Sequence, residues 1–369
     1  MPLVLDSLEI KNFRAFKHLR IEKLGRVNLI VGKNNVGKSS VLEALWLYAR
    51  RGDPNLIWNV LRSRDESGTE ISTVPPTESA RINALRHLFY GRKVLQSHPP
   101  FVRISLSQAE ENDIFFIGVV EPIAPTEGPD QIQGFSSFDE MEAFFDTDFS
   151  LIAGYGSQAI YHYPLAPNEP RVKQFKTEHQ PHNCVSVLAN GLSDTETSSL
   201  WDAVALTSLE EDVLFALSIL APNIERVNMI GSAEPLVRRN AIVKLRSDVA
   251  PIPLRSMGEG MNRMFGIALA LVNAKDGMLL IDEVDTGLHY SVLPDLWKLI
   301  FEVAHRLNVQ VFATSHSWDC IQAFQLAAEE NKKEEGIVIR LEIQDGEVVP
   351  VTFDERKLSI ATREQIEVR

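Results

Sequence analysis

The sequence has 369 residues, 44% of them hydrophobic and 24% charged, with a formal net charge of −13, a globular composition with room for two core-bearing units or one large elaborated domain. No apolar run approaches the roughly 20 residues of a membrane span, the opening MPLVLDSLEI shows no basic segment followed by an apolar one, and two cysteines, Cys184 and Cys320, cannot make a disulfide framework or, alone, a four-ligand zinc site. A cytoplasmic protein with no membrane partner is expected, and secreted, collagenous and membrane classes are excluded.

The first 30 residues read as short strands. Leu8 and Ile10 alternate with polar neighbours, as do Leu19 and Ile21, and Val27–Val31 is a compact apolar run suited to a buried strand. It ends at Gly32. From Lys38 the pattern turns helical, with Val41, Leu42, Leu45 and Tyr48 three and four residues apart. Residues 52–100 read as an exposed helical insert with breakers at Pro54, Pro75-Pro76 and Pro99-Pro100. It holds a basic cluster of Arg62, Arg64, Arg81, Arg86, Arg92 and Lys93.

The charge is uneven. Between Ile104 and Pro170 there is no Lys or Arg but 12 carboxylates, leaving 38 acidic against 37 basic residues elsewhere. This stretch would repel a polyanion and steer a basic partner, or be simply a solvated acidic face. Within it, Phe101–Leu106 and Ile114–Val120 are strand-like, before a loop rich in Pro and Gly. Residues 195–221 form a helix pair or one long helix, with Leu200, Val204, Leu206, Leu209, Val213, Leu214 and Leu217 on an apolar face. Past Arg255 a helix from Glu259 precedes a strand at Met278–Asp282. A helix over about 291–307 precedes a strand at Val309–Thr314. That alternation implies a parallel sheet with crossover helices. A hairpin closes the pattern, Ile337–Ile343 and Val348–Phe353 turning at Asp345-Gly346.

The strongest chemical signal is Gly32-Lys33-Asn34-Asn35-Val36-Gly37-Lys38-Ser39, which satisfies G-x-x-x-x-G-K-[ST] between a strand and a helix. Glycines let the backbone wrap a phosphate with its N–H groups inward, and the helix N-terminus adds partial positive charge. The loop residues Gly32, Asn34, Asn35 and Gly37, with Ser40 just inside the helix, are candidates for holding the triphosphate of ATP. Lys38 reaches the β- and γ-phosphates, and the Ser39 hydroxyl ligates Mg²⁺. A second signal is Met278-Leu279-Leu280-Ile281-Asp282-Glu283, a buried strand delivering two carboxylates to its C-terminal end. Asp282 suits the Mg²⁺ shell and Glu283 the general base for an attacking water. A third strand end, Thr314-Ser315-His316, offers an imidazole to the γ-phosphate. Finally, Ser256-Met257-Gly258-Glu259-Gly260 opens a helix as a second anion site or as an ordinary cap and turn. Two phosphate-cradling helix ends invite a head-to-tail dimer.

The order of phosphate loop, S-x-G-x-G helix, Leu-Ile-Asp-Glu, Asp-x-Gly-Leu-His and Thr-Ser-His resembles the ABC-type ATPases of the RecF/SMC/OLD class. Within it, the chain looks most like stand-alone bacterial AAA-family ATPases related to the OLD proteins. The resemblance covers residues 1–50 and 250–320 and includes Ile10-Lys11-Asn12-Phe13-Arg14-Ala15-Phe16, whose Asn12 and Arg14 would lie near the nucleotide. It implies an α/β P-loop NTPase of ABC-head type, with N-terminal antiparallel strands, a parallel core sheet and a helical insert. Residues 1–51 would be the N-terminal lobe of the ATPase, 52–250 the variable insert, and 251–369 the C-terminal lobe.

By the same resemblance Ser256, Gly258 and Gly260 would be the signature acting in trans on a partner's ATP, Asp285 would couple the two sites, and His316 would be the switch histidine. Two departures stand out: Gly258-Glu259 replaces the usual Gly-Gly, and Gln96, Gln108 and Gln158 are all candidates for the Q-loop glutamine. After His316 about 50 residues remain, too few for the TOPRIM nuclease domain that many OLD proteins carry. The function implied is a dimerising Mg-ATP-dependent ATPase, the sensor or motor of a bacterial nucleic-acid-directed system, above all phage defence. Its effector, such as a nuclease, would be a separate protein, docked on the acidic stretch. The alternatives are a RecF-like DNA-binding repair ATPase and a non-catalytic ATP-gated scaffold.

Overall fold

The computed structural model describes residues 2–67, 77–94, 101–120, 149–166, 172–231, 239–246, 250–331 and 336–353. Two large sheets organise them. In the first, β1 (Leu8–Phe13) pairs with β2 (Phe16–Ile21) and, on its other side, with β4 (Val102–Ser105). The ladder continues through β5 (Phe115–Val120), β6 (Ser150–Tyr155), β7 (Gln158–Pro164) and β8 (Lys173–Gln174), antiparallel throughout. The tight turn between β1 and β2 puts Asn12 and Arg14 at φ 55° and 49°, a conformation asparagine tolerates better than most residues.

The second sheet has the order β16-β15-β3-β14-β13-β9. Its members are β3 (Val27–Gly32), β9 (Cys184–Val187), β13 (Met278–Ile281), β14 (Gln310–Thr314), β15 (Gly336–Gln344) and β16 (Glu347–Phe353). All neighbours are parallel except the β15–β16 hairpin, whose turn residues Asp345 and Gly346 both have positive φ. The two faces of this sheet bury alternate residues, the period-two rule of a strand. Ile30, Met278, Leu280, Phe312 and Ile337 face the antiparallel sheet, with α1 (Lys38–Ala49) in the same core. Leu29, Val31, Leu279, Ile281 and Val311 pack under α6 (Glu259–Asn273), α7 (Leu293–Arg306) and α8 (Trp318–Glu330). Each such fully buried apolar side chain contributes about 1.5–3 kcal/mol, so packing anchors both faces of the sheet.

Between these parts lie α2 (Pro54–Arg62) and α3 (Glu78–Leu85), then α4 (Asp194–Val204) and α5 (Leu209–Leu220). A small antiparallel sheet of β10 (Ile224–Ile230), β11 (Asn240–Leu245) and β12 (Ile252–Pro253) leads into α6. A capping box between Ser193 and Glu196 starts α4. Residues 195–221 are thus a helix pair, broken at Leu206, which has φ 63° and, lying in the turn between the helices, is 98% exposed rather than part of the expected apolar face.

Two further expectations differ from the fold. Residues 52–100 are not simply exposed: Leu56, Ile57, Val60 and Leu61 are buried in one core with α1, because α2 is strongly amphipathic. Arg81 of the basic cluster is also buried, donating to the carbonyls of Leu165 (3.3 Å) and Ala166 (3.0 Å). The other difference is β9. It lies inside the stretch read as insert, yet forms an edge of the parallel sheet beside β13. Much of the acidic stretch, Glu121 to Asp148 and Glu169, lies outside the described residues, as does Gln96. Among the described residues no helix is long and apolar enough to cross a membrane.

Candidate nucleotide-binding and hydrolysis site

Parallel sheets bind ligands outside the carboxyl ends of their strands, and here β3, β14, β13 and β9 end side by side. The loop from Gly32 to Lys38 leaves β3 there and opens α1. Two of its glycines are structurally required. Gly32 has φ 141°, and a Cβ on it would lie 2.4 Å from the Leu341 carbonyl oxygen. Gly37, the residue before α1, has φ 102°, and its Cβ would lie 2.8 Å from the Phe16 ring. The loop backbone therefore packs where no side chain fits. The Lys38 ammonium donates to the carbonyls of Gly32 (2.8 Å) and Lys33 (3.0 Å), closing the loop on itself. Partial burial pushes Lys38 below the usual lysine range, while Asp282 and Glu283 pull it up.

Asp282 and Glu283 follow β13 and meet two hydroxyls. Ser39 Oγ donates to Asp282 Oδ1 at 3.1 Å, and Thr314 Oγ1 donates to the same oxygen at 2.6 Å. Thr314 Oγ1 also accepts from the Glu283 amide at 2.8 Å. Glu283 has φ 48°, a strained value for a non-glycine residue. Its carboxylate accepts from Thr286 Oγ1 at 3.1 Å.

A cleft of about 790 Å³ joins these groups: Lys38, Ser39, Ser40, Gly37, Asn34, Asn35, Asp282 and Glu283 all line it. Its far wall comes from the 52–100 stretch, through Arg64, Glu66, His87, Phe89, Gly91 and Arg92. That wall was not legible in the sequence beyond a count of basic residues. Arg14 also lines the cleft, but its side chain is ion-paired with Glu43 and, at 2.9 Å, with Glu66. Arg64 donates to Glu43 at 2.6 Å. Burial pushes the Glu43 carboxyl up against the pull of Arg14 and Arg64, and pushes His87 down.

The donor set fits a hard cation on a triphosphate. Among the described residues no cluster of three or more His, Cys, Asp or Glu could hold a metal alone. Ser39 and Asp282 offer adjacent oxygens, and Mg²⁺ is held by one or two protein oxygens plus phosphate and water.

Other expected residues lie elsewhere. Asn12 is absent from the cleft lining, and His316 is exposed just past β14, also outside that lining. Ser256 and Gly258 are exposed at the start of α6. Ser256 belongs to a short 3-10 turn, and no side chain caps α6. A Cβ on Gly258 would meet nothing within 4 Å, so the helix end is open. Gly260 is tight: its Cβ would lie 2.9 Å from the Gly287 carbonyl oxygen, bringing α6 against the loop of Asp285. Asp285 Oδ1 is buried without a hydrogen-bond partner. Gln158 sits in β7 and lines neither this cleft nor a second cavity of about 400 Å³ lined by Asn190, Arg239, Glu259 and Asn262. Gln108 is likewise outside both linings.

Two family models match: "AAA ATPase domain" over residues 4–89 and "AAA domain, putative AbiEii toxin, Type IV TA system" over residues 164–319. An "ATP/GTP phosphatase" of Helicobacter pylori is 24% identical over 95% of both chains. The RecF DNA replication and repair protein of Clostridioides difficile is 46% identical over 43 residues, 12% of each chain. Among solved structures, an Smc head bound to the C-winged helix domain of ScpA superposes with a TM-score of 0.52 at 15% identity, covering 96% of this chain and 99% of that one. Fold, cleft and matches together support a P-loop ATPase whose fold is that of an Smc head. The chain is similar to the Helicobacter protein from end to end, and to RecF only around one short segment.

Proposed function

We propose that this ATPase hydrolyses Mg-ATP as a head-to-tail pair. Each copy lays the open end of its α6 (Ser256, Gly258 and Gly260) on the triphosphate held by its partner's phosphate loop. The observation that carries this reading is a separation. The phosphate loop and both carboxylates share one cleft, while the helix end at Ser256 and Gly258 lies outside its lining, exposed and with nothing within 4 Å of a Cβ on Gly258. A helix N-terminus with unsatisfied N–H groups is a ready phosphate site, and only a second molecule can bring one to it.

Each residue then has a task. Lys38 leaves the Gly32 and Lys33 carbonyls for the phosphates. Ser39 and Asp282 hold Mg²⁺, which when bound neutralises charge on the phosphate oxygens. Gly32, Asn34, Asn35, Gly37 and Ser40 surround the triphosphate. Glu283 accepts the proton of the attacking water. His316, exposed just past β14 and outside the cleft lining here, turns to the γ-phosphate when nucleotide is bound, and Asp285 couples the two sites across the pair. Arg14, already balanced by Glu43 and Glu66, sets the posture of the β1–β2 turn, with Asn12 beside it.

We place the chain with the OLD-like stand-alone ATPases, in the cytoplasm, as the sensor or motor subunit of a nucleic-acid-directed phage-defence system with a separate effector. A second reading, a repair ATPase that grips DNA, is favoured by the RecF match. A Glu283→Gln chain tests both levels. With saturating Mg-ATP it should run as a dimer by light scattering, and a monomer refutes the pairing. Purified from its own cells, it should bring down a stoichiometric protein partner. Nucleic acid alone, released by salt, instead assigns the repair reading.

A further inference from the structure

The helix that opens at Ser256 is tied to the strand end carrying Glu283 by one buried side chain. Arg263, just inside α6, is 7% exposed. Its Nη1 donates to the Leu188 carbonyl past the end of β9 at 2.7 Å. Its Nη2 donates to the carbonyls of Asp282 at 2.6 Å and Glu283 at 2.9 Å. The three acceptors are main-chain oxygens from two neighbouring strand ends. Nε is buried without a partner. Burial works against the charge, and Asp282, Glu283 and Asp285 nearby support it.

Burying a guanidinium costs more than burying an apolar side chain of similar size. Simple adhesion between α6 and β13 would not need one. What the guanidinium does that a leucine cannot is fix two successive peptide planes through charge-assisted hydrogen bonds. The second of those peptides follows the strained Glu283, whose amide is held from the other side by Thr314. The direction of the Glu283 carboxylate into the cleft is thus set by its backbone. That backbone is held between a residue of β14 and a residue of α6.

We propose that Arg263 is a positioning residue for ATP hydrolysis. It holds the Glu283 peptide so that the carboxylate faces the cleft, and it makes that posture depend on the position of α6. Docking of a partner's triphosphate at the open end of α6 then adjusts the base of the same subunit. The inference rests on the reading of Glu283 as the base.

The test uses the full chain carrying Arg263→Met, Arg263→Lys, Arg263→Ala or Glu283→Gln, and the double variant Arg263→Met/Glu283→Gln. Phosphate release is followed against ATP concentration, with ATP affinity and the Mg-ATP shift in melting temperature measured separately. Arg263→Met should lose about 30-fold or more in kcat while ATP affinity stays within about threefold. Arg263→Lys should recover part of that loss. Millimolar ethylguanidinium should raise the turnover of Arg263→Ala but not that of Glu283→Gln. The double variant should be no slower than Glu283→Gln alone.

If Glu283→Gln is inactive but Arg263→Met turns over normally, the positioning role is refuted and the base reading stands. If the arginine variants lose ATP binding and melting temperature together, with no rescue by lysine or guanidinium, Arg263 is a structural tie only and the proposal fails. Normal turnover by Glu283→Gln removes the base reading itself.

Discussion

Thr314→Val is the substitution that most directly probes the cleft. Thr314 is fully buried, and its hydroxyl serves two partners at once, donating to Asp282 Oδ1 at 2.6 Å and accepting from the Glu283 amide at 2.8 Å. Valine has nearly the same shape, so packing and cavity terms are small. The loss is one charge-assisted hydrogen bond, about 1.5–3 kcal/mol, together with an orphaned amide at about 1–3 kcal/mol. The two overlap, giving a destabilisation of about 2–4 kcal/mol. Urea unfolding of the Val variant against Thr314→Ser, which keeps the hydroxyl, isolates that term. The same change frees the Asp282 carboxylate and the Glu283 amide, so kcat should fall about 10–100-fold in Thr314→Val with ATP affinity little altered, and by less than threefold in Thr314→Ser. A valine variant matching the original in stability and turnover would show that the bridge between Asp282 and Glu283 has no energetic weight, and the reasoning built on it would be wrong.

Lys38→Ala removes the only loop ammonium facing the cleft and should weaken ATP binding by about 10–100-fold in equilibrium titration, whereas unchanged affinity contradicts a phosphate-loop role. Gly260→Ala places a methyl 2.9 Å from the Gly287 carbonyl oxygen. It should push α6 off the Asp285 loop and slow turnover with monomeric ATP binding intact; equal activity would show that the contact yields easily. Burial depresses His162 to about 4, so the unfolded chain binds its proton first as pH falls. Stability should be full above pH 7 and fall by about 2 kcal/mol between pH 7 and pH 5. His162→Gln should flatten that part of the urea-midpoint profile, and an unchanged slope would mean that other groups carry it.

What was legible in the sequence was local. The phosphate loop, the Asp282-Glu283 strand end and the helix at Glu259 are each written in a short continuous pattern, and each folds where the pattern puts it. The parallel sheet followed from the strand–helix alternation past Arg255. What escaped depended on distant pairing. Four residues from Cys184 to Val187 carry no strand signal strong enough to stand alone, and their place beside β13 comes from the partner strand's register. The seven-stranded ladder likewise unites β1 with strands beyond residue 100. Arg263 and Thr314 act through backbone groups that no motif of side chains records. The cleft wall from Arg64 to Arg92 depends on α2 burying its apolar face, a tertiary choice that a basic cluster does not reveal.

The position of β3 has a consequence for biosynthesis. The strand that leads into the phosphate loop is made well before both its neighbours, β14 and β15, which are encoded far downstream. While the ribosome is still working toward those strands, β3 has two unpaired edges and an apolar sequence, the combination that invites wrong pairing. The ATP site therefore cannot mature with its own motif. It comes into being only when late-translated strands close on an early one, and nucleotide binding should be absent from nascent chains arrested before residue 310.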